Sequence, residues 1–155
     1  MTPSVRGGSR SPRPLWTCPR CGVQLLVANS YHACGRFRLD DLFARSEPAV
    51  RGLFDRFERL VRAAGDCTLI PQKTRAVFMT RMRFINVQVR RTHLVVGFVM
   101  RERPGDARFS KIETFSPRSH VAYLRLHSPE DLDADVRRWI RKAYQAGLYR
   151  LDNRR

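Results

Sequence analysis

The chain has 155 residues and a formal charge of +16, from 30 basic and 14 acidic side chains. That length suits one compact domain with a small appendage, large enough to bury a core without disulfide staples. No run approaches the roughly 18 apolar residues of a membrane span, and the opening "MTPSVRGGSRSPRPLW" lacks the apolar stretch of a secretory signal, so a cytoplasmic protein with no membrane association is expected.

Residues 1–14, rich in Arg, Gly, Pro and Ser, read as a disordered basic tail. The next segment carries the clearest chemistry. Cys18 and Cys21 stand two residues apart, and after ten more residues come His32 and Cys34 with one residue between them. In a cytoplasmic chain such cysteines are thiols or metal ligands before they are disulfides. Two close pairs of three sulfurs and one imidazole suit tetrahedral zinc. In "CPRCG" the turn aims backbone N–H groups at the first sulfur, and Gly22 supplies the left-handed conformation the turn needs. The intervening "GVQLLVANSY" forms a short hairpin, with Ala28, Asn29 and Ser30 as its turn. Trp16, Leu25, Leu26, Tyr31 and Phe37 pack around the site.

Two other chemistries fit less well. A thioredoxin-type pair wants a helix after it, which Pro19 and Gly22 oppose. Iron can occupy a similar knuckle, but one His in place of Cys favours zinc. Four protein ligands leave no open position for water, and no H-E-x-x-H or H-x-E arrangement lies nearby, so the zinc expected here is structural. Cys67 stands alone after a helix end and reads as a small buried hydrophobe.

Beyond the knuckle, "LDDLFA" (residues 39–44) makes one or two helical turns. In "SEPAVRGLFDRFERLVRAAG" Val50, Leu53, Phe54, Phe57, Leu60, Val61 and Ala64 recur at helical spacing, with Ser46 expected to cap the start and Gly65 the end. From Cys67 to Leu126 the pattern turns to strands: "TLIPQ", "RAVFMT", "RFINVQVR", "HLVVGFVM", "FSKIET" and "HVAYLRLH". "VRRTH" is a tight hairpin and "RERPGDAR" a looser turn. "HLVVGFVM" is apolar almost throughout, which predicts a central strand covered on both faces. Asn86 and Gln88 alternate with Ile85, Val87 and Val89, which predicts that part of the sheet is open to water. The last element, "SPEDLDADVRRWIRKAYQAG", is a helix with Ser128 and Asp131 as a capping box. Its buried stripe is Leu132, Val136, Trp139, Ile140, Ala143 and Tyr144.

The fold class expected is α+β: an N-terminal zinc knuckle, then a mainly antiparallel sheet flanked by two amphipathic helices. The boundaries are residues 1–14 for the tail, 15–38 for the knuckle, 39–148 for the α+β domain and 149–155 for a basic C-terminal tail.

"WTCPRCG", "YHACGRFRLDDLFA", "KTRAVFMTRMRF", "RFSKIETFSPRSHVAYLRLHSPEDLD" and "WIRKAYQAG" together resemble a bacterial family, domain of unknown function 5655. The likeness runs from Leu15 to Gly147 and departs at Ser30 and Ala33, beside the third metal ligand. It implies an α/β domain behind a zinc knuckle and brings no catalytic residue with it.

The charge gives the functional expectation. Residues 67–127 carry +9, while 47–66 are neutral, and all but three of the basic side chains (Lys73, Lys111, Lys142) are arginine. Such an excess either binds phosphates or reflects a GC-rich genome, and the arginines never form a block. The polar cluster best placed for a site is Lys73, Thr74 and Arg75 with "ETFSPRSH" and His127. Arg118 and His120 beside the Ser116-Pro117 turn offer an anion site, against the plainer reading of a turn with His120 capping a strand. An acidic-pair nuclease fits poorly with only Glu102, Asp106 and Glu113 in the middle segment, and no nucleophile elbow is present. The expectation is a non-enzymatic binding protein with DNA or RNA as leading ligand, using Lys73, Arg75, Arg83, Arg90, Arg118 and His120. The alternatives are an enzyme or small-anion receptor at Lys73, Arg118 and His120, and a protein-interaction adaptor.

Overall fold

In a computed structural model the described residues are 14–25, 28–29, 32 and 34–148. The expected tails, apart from Pro14, lie outside them, as do Leu26, Ser30, Tyr31 and Ala33. After the knuckle the chain forms a 3₁₀ turn, Leu39–Phe43, and a helix, α1 (Pro48–Ala64). The knuckle itself holds a two-stranded hairpin, β1 (Trp16–Thr17) and β2 (Gln24–Leu25). Six strands follow: β3 (Thr68–Pro71), β4 (Ala76–Met79), β5 (Arg83–Val89), β6 (Leu94–Met100), β7 (Lys111–Ser116) and β8 (Ser119–Leu126). Helix α2 (Ala134–Leu148) closes the fold. The architecture is α+β with an antiparallel sheet, as the periodicities predict.

The strand order is β3-β4-β5-β6-β8-β7, every pair antiparallel. Strand β8 therefore inserts between β6 and β7. The β6–β7 connection, "RERPGDAR" and its neighbours, spans that gap instead of making a hairpin. Both helices lie on one face, where Phe57 meets Phe78 and Phe98 edge-on, with ring centres 6.2 and 6.3 Å apart. Trp139 of α2 joins Phe98 and Phe109 in the same core. The pairing of Phe78 with Ile85 and Met79 with Arg83 leaves Phe84 as an extra residue. This bulge lets Phe84 and Ile85, consecutive in sequence, both reach the core.

Two helix starts differ from the sequence expectation. Ser46 does not cap α1: its hydroxyl donates to the Phe43 carbonyl and closes the preceding turn. The cap position falls to Glu47, extended because Pro48 follows it and takes the first helical position. Likewise the Ser128–Asp131 box closes a 3₁₀ turn, Pro129–Asp131. At Leu132 the backbone leaves helical geometry, and α2 restarts at Ala134 with Asp133 accepting from the Val136 N–H.

The second sheet face is covered only in part. Strand β6 is central, but Val95 and Val99 stay half-buried, so it is not sealed on both faces as its composition suggests. Asn86 and Gln88 share that face, half-buried as expected. At the β3–β4 end the face is closed. Ile70 and Val77 pair across the strands and point away from the helices, yet are only 6% and 2% exposed. Ile70 borders hollows shared with His32, Cys34, Gly35 and Phe37, so the knuckle lies over this corner. The appendage is thus built into the sheet's second face. Among the described residues no helix is long and apolar enough to cross a membrane.

Candidate metal centre and basic cleft

The knuckle is shaped by backbone turns before any ion is considered. The Gly22 N–H donates to the Cys18 carbonyl, and the Cys18 N–H to the Val23 carbonyl, which folds "CPRCG" back on itself. Gly22 and Gly35 adopt positive φ of 74° and 73°, the left-handed turn conformation open to glycine. Asn29, in the expected hairpin turn, and Cys34 also sit at positive φ.

These turns bring one ligand atom each from Cys18, Cys21, His32 and Cys34 within 4.8 Å of one another. The Cys18 and Cys34 sulfurs lie 3.8 Å apart, and the Cys21 sulfur is 3.3 Å from His32 Nε2. All the cysteines are free thiols. A tetrahedron with metal–sulfur bonds of about 2.3 Å has a sulfur–sulfur edge of about 3.8 Å. The group therefore has the dimensions and donor set to hold a metal ion. Its electrostatics point the same way. Burial alone would raise the Cys18 thiol, but hydrogen bonds from the Cys21 and Arg20 N–H groups and from the Cys21 and Cys34 side chains outweigh it and lower it to about 6. Cys34 is pushed up to about 11 by burial, by its hydrogen bonds with Cys18 and Cys21, and by repulsion from both. Two thiolates in contact repel each other, and a bound cation removes that penalty. Cys67 is buried against the helix-side core, and burial raises its thiol.

The residues expected to bind anions are not gathered into one site. Lys73 and Arg83 line a hollow of about 260 Å³ with His32 and Phe37, beside the knuckle. Arg118 and His120 line a cleft of about 700 Å³ with Arg101, Glu102, Arg103 and Pro117. The topology explains the separation: the turn holding Lys73 and Arg75 joins β3 and β4 at one sheet edge, while Arg118 turns β7 into β8 at the other. Arg75 and Arg90 border neither space; Arg90 caps the β5–β6 hairpin and bonds to Gln88.

His120 has a structural task. It is 5% exposed, with Nδ1 2.9 Å from Thr114 Oγ1 and Nε2 3.2 Å from the Pro117 carbonyl. A carbonyl only accepts, so Nε2 carries the proton and Nδ1 accepts from the threonine hydroxyl. Arg103 donates to that same hydroxyl oxygen. The imidazole pins the β7–β8 turn.

Tertiary structure adds cations that the linear pattern left apart. A second concavity, about 780 Å³, adjoins the Arg118 cleft through shared Arg101, Glu102 and Arg103, and its far wall is α2, with Arg138, Arg141 and Lys142. The two spaces together present six cations and one acid. Arg108 holds the connecting loop against α2, donating to Asp133 at 2.7 Å and Asp135 at 2.9 Å while lying 4.7 Å over the Trp139 ring. The acids at the start of α2 are thereby engaged away from the cleft. Arg138 pairs with Asp135. Among the described residues Arg103, Arg118, Arg141 and Lys142 have no carboxylate partner. Helical spacing marks Arg138, Arg141 and Lys142 as an exposed face of α2; only the fold sets that face across from Arg103, in a space adjoining the one Arg118 lines.

The family described as Domain of unknown function (DUF5655) matches residues 39–147, which takes in the sheet, both helices and the basic cleft, and stops short of the four cysteine and histidine ligands. Neither the curated proteins nor the solved structures contain a match to the chain.

Proposed function

Because the chain belongs to the domain of unknown function 5655 family, a grouping that carries no assigned activity, we propose its role from its own surface: it is a non-enzymatic nucleic-acid-binding protein braced by a structural zinc knuckle. The observation that carries the reading is a cleft made of two adjoining hollows, lined by Arg103, Arg118, Arg141 and Lys142, which have no carboxylate partner among the described residues. Cations so placed bind phosphates and release the counterions condensed on them. The wall between β6 and β7 is held by Arg108, so the cleft needs little ordering when a polyanion arrives.

Zinc would be held by Cys18, Cys21, His32 and Cys34, a closed shell suited to structure and without an open position for a reacting water. The knuckle then keeps the β3–β4 corner of the sheet covered.

The test is fluorescence anisotropy with labelled duplex DNA across 50 to 200 mM salt. Four neutralised phosphates give a log–log slope of about −3.6, a loss of about 150-fold over that range. Replacing Arg103, Arg118 and Arg141 with Ser should flatten the slope by about 2.7. Replacing Lys73, Arg83 and Arg90 should leave it nearly unchanged, since those side chains lie outside the cleft. Absence of binding to DNA or RNA at 50 mM salt refutes the proposal.

A further inference from the structure

The turn that presents Arg118 to the cleft also presents an aromatic ring to water. Phe115 is 68% exposed, and among the described residues it is the one aromatic side chain of that kind. Single exposed apolar residues are ordinary, but two features set this one apart. It sits on an edge strand at an irregularity: Thr114 pairs with His120 and Ser116 with Ser119, so Phe115 is the unpaired extra residue. Bulges of this kind re-aim a side chain. The segment is also held firmly, with Thr114 bonded to His120 and Arg103 and the Pro117 carbonyl bonded to His120. A bulky apolar ring is therefore displayed on a rigid support, three residues from a cation that lines the cleft.

We infer that Phe115 is a base-stacking platform and that the ligand of the basic cleft is a single-stranded nucleic acid. This rests on the nucleic-acid reading above and adds to it the form of the ligand. In a duplex the base faces are already stacked on each other, so an exposed phenyl ring gains nothing from them. In an unpaired strand each base has a free face, and ring-on-base contact joins phosphate neutralisation as a source of affinity. One short segment, Phe115 to Arg118, then offers a partner to the base and a partner to its phosphate.

The experiment compares wild-type protein with Phe115→Ala and Phe115→Trp, using labelled 15-nucleotide oligothymidylate and oligouridylate and a 15-base-pair duplex at 50 mM salt. Because the ring is exposed, each variant should keep the wild-type circular dichroism spectrum and melting temperature. Phe115→Ala should weaken single-strand binding about 5- to 150-fold and leave duplex binding unchanged. Its salt slope should match wild type, because a stacked base releases no phosphate counterions. Phe115→Trp should restore or exceed wild-type affinity. If wild-type protein binds the oligonucleotides and Phe115→Ala does not change single-strand affinity, or weakens duplex binding equally, the stacking role is overturned while the cleft remains. If wild-type protein binds none of the three probes, the nucleic-acid reading falls and the stacking role with it.

Discussion

If Cys18, Cys21, His32 and Cys34 hold a metal as proposed, its removal should uncover one corner of the sheet without unfolding the protein. Ile70, 6% exposed, points away from the helices and borders the hollow lined by His32 and Phe37, and its cross-strand partner Val77, 2% exposed, shares that face. Fully burying such a side chain contributes about 1.5–3 kcal/mol, so losing cover from both costs about 3–6 kcal/mol. In a chain of this length each kcal/mol lowers the melting temperature by about 2–4 °C, giving an expected fall of about 6–24 °C on chelation. The helix-side core around Phe54, Phe57, Phe78 and Phe98 lies on the other face and is untouched. The far-ultraviolet signal of α1 and α2 should therefore persist at 25 °C, while amide exchange accelerates in residues 16–35 and along β3. The assay is thermal unfolding by circular dichroism with and without a strong chelator, beside hydrogen exchange and metal analysis of the untreated protein. A melting temperature unmoved by chelation would show that the knuckle does not support the sheet. Complete loss of helical signal at 25 °C would show that residues 39–148 have no independent core, and absence of metal in freshly purified protein would remove the zinc assignment.

Two further perturbations probe the frame around the site. Gly65 ends α1 at φ 152°, a conformation essentially restricted to glycine, and an added Cβ would collide with the Tyr144 hydroxyl that donates to the Asp66 carbonyl. Gly65→Ala should cost about 2–4 kcal/mol in urea unfolding, more than Tyr144→Phe at about 1 kcal/mol; equal stability of Gly65→Ala and wild type would contradict it. His93 is held below its usual value by burial, then by His127 in ring contact at 4.9 Å and by Arg125 and Arg90. The unfolded chain therefore binds this proton more readily, so stability should be flat above pH 6.5 and fall as the pH drops below it. His93→Gln should remove that part of the slope in denaturant titrations at pH 7.5, 6 and 5, and an unchanged slope would contradict the assignment.

Much of the fold and the Cys/His cluster that could hold a metal are legible in the sequence because their causes are local. The spacing Cys18-x2-Cys21 fits a single turn, Gly22 supplies the left-handed residue that turn needs, and His32-x-Cys34 supplies the second pair. The apolar periods of α1 and α2 and of the six strands reflect how neighbouring side chains are projected from each backbone type. Even here local preference was overruled where a competitor stood nearby. Pro48 moved the α1 cap from Ser46 to Glu47, and the break at Leu132 separated the Ser128–Asp131 box from α2. The basic cleft was not legible. Arg103, Arg118 and Arg141 lie far apart in sequence and line adjoining hollows because β8 enters the sheet between β6 and β7 and Arg108 fastens the connecting loop to α2. Lys73, so similar to them in composition, is carried to the opposite edge by the same strand order. His120, polar and flanked by turn residues, reads as a site in one dimension and is a buried bracket in three. Strand neighbours are chosen by long-range packing against one shared core, and no local pattern encodes which distant strand will win that place.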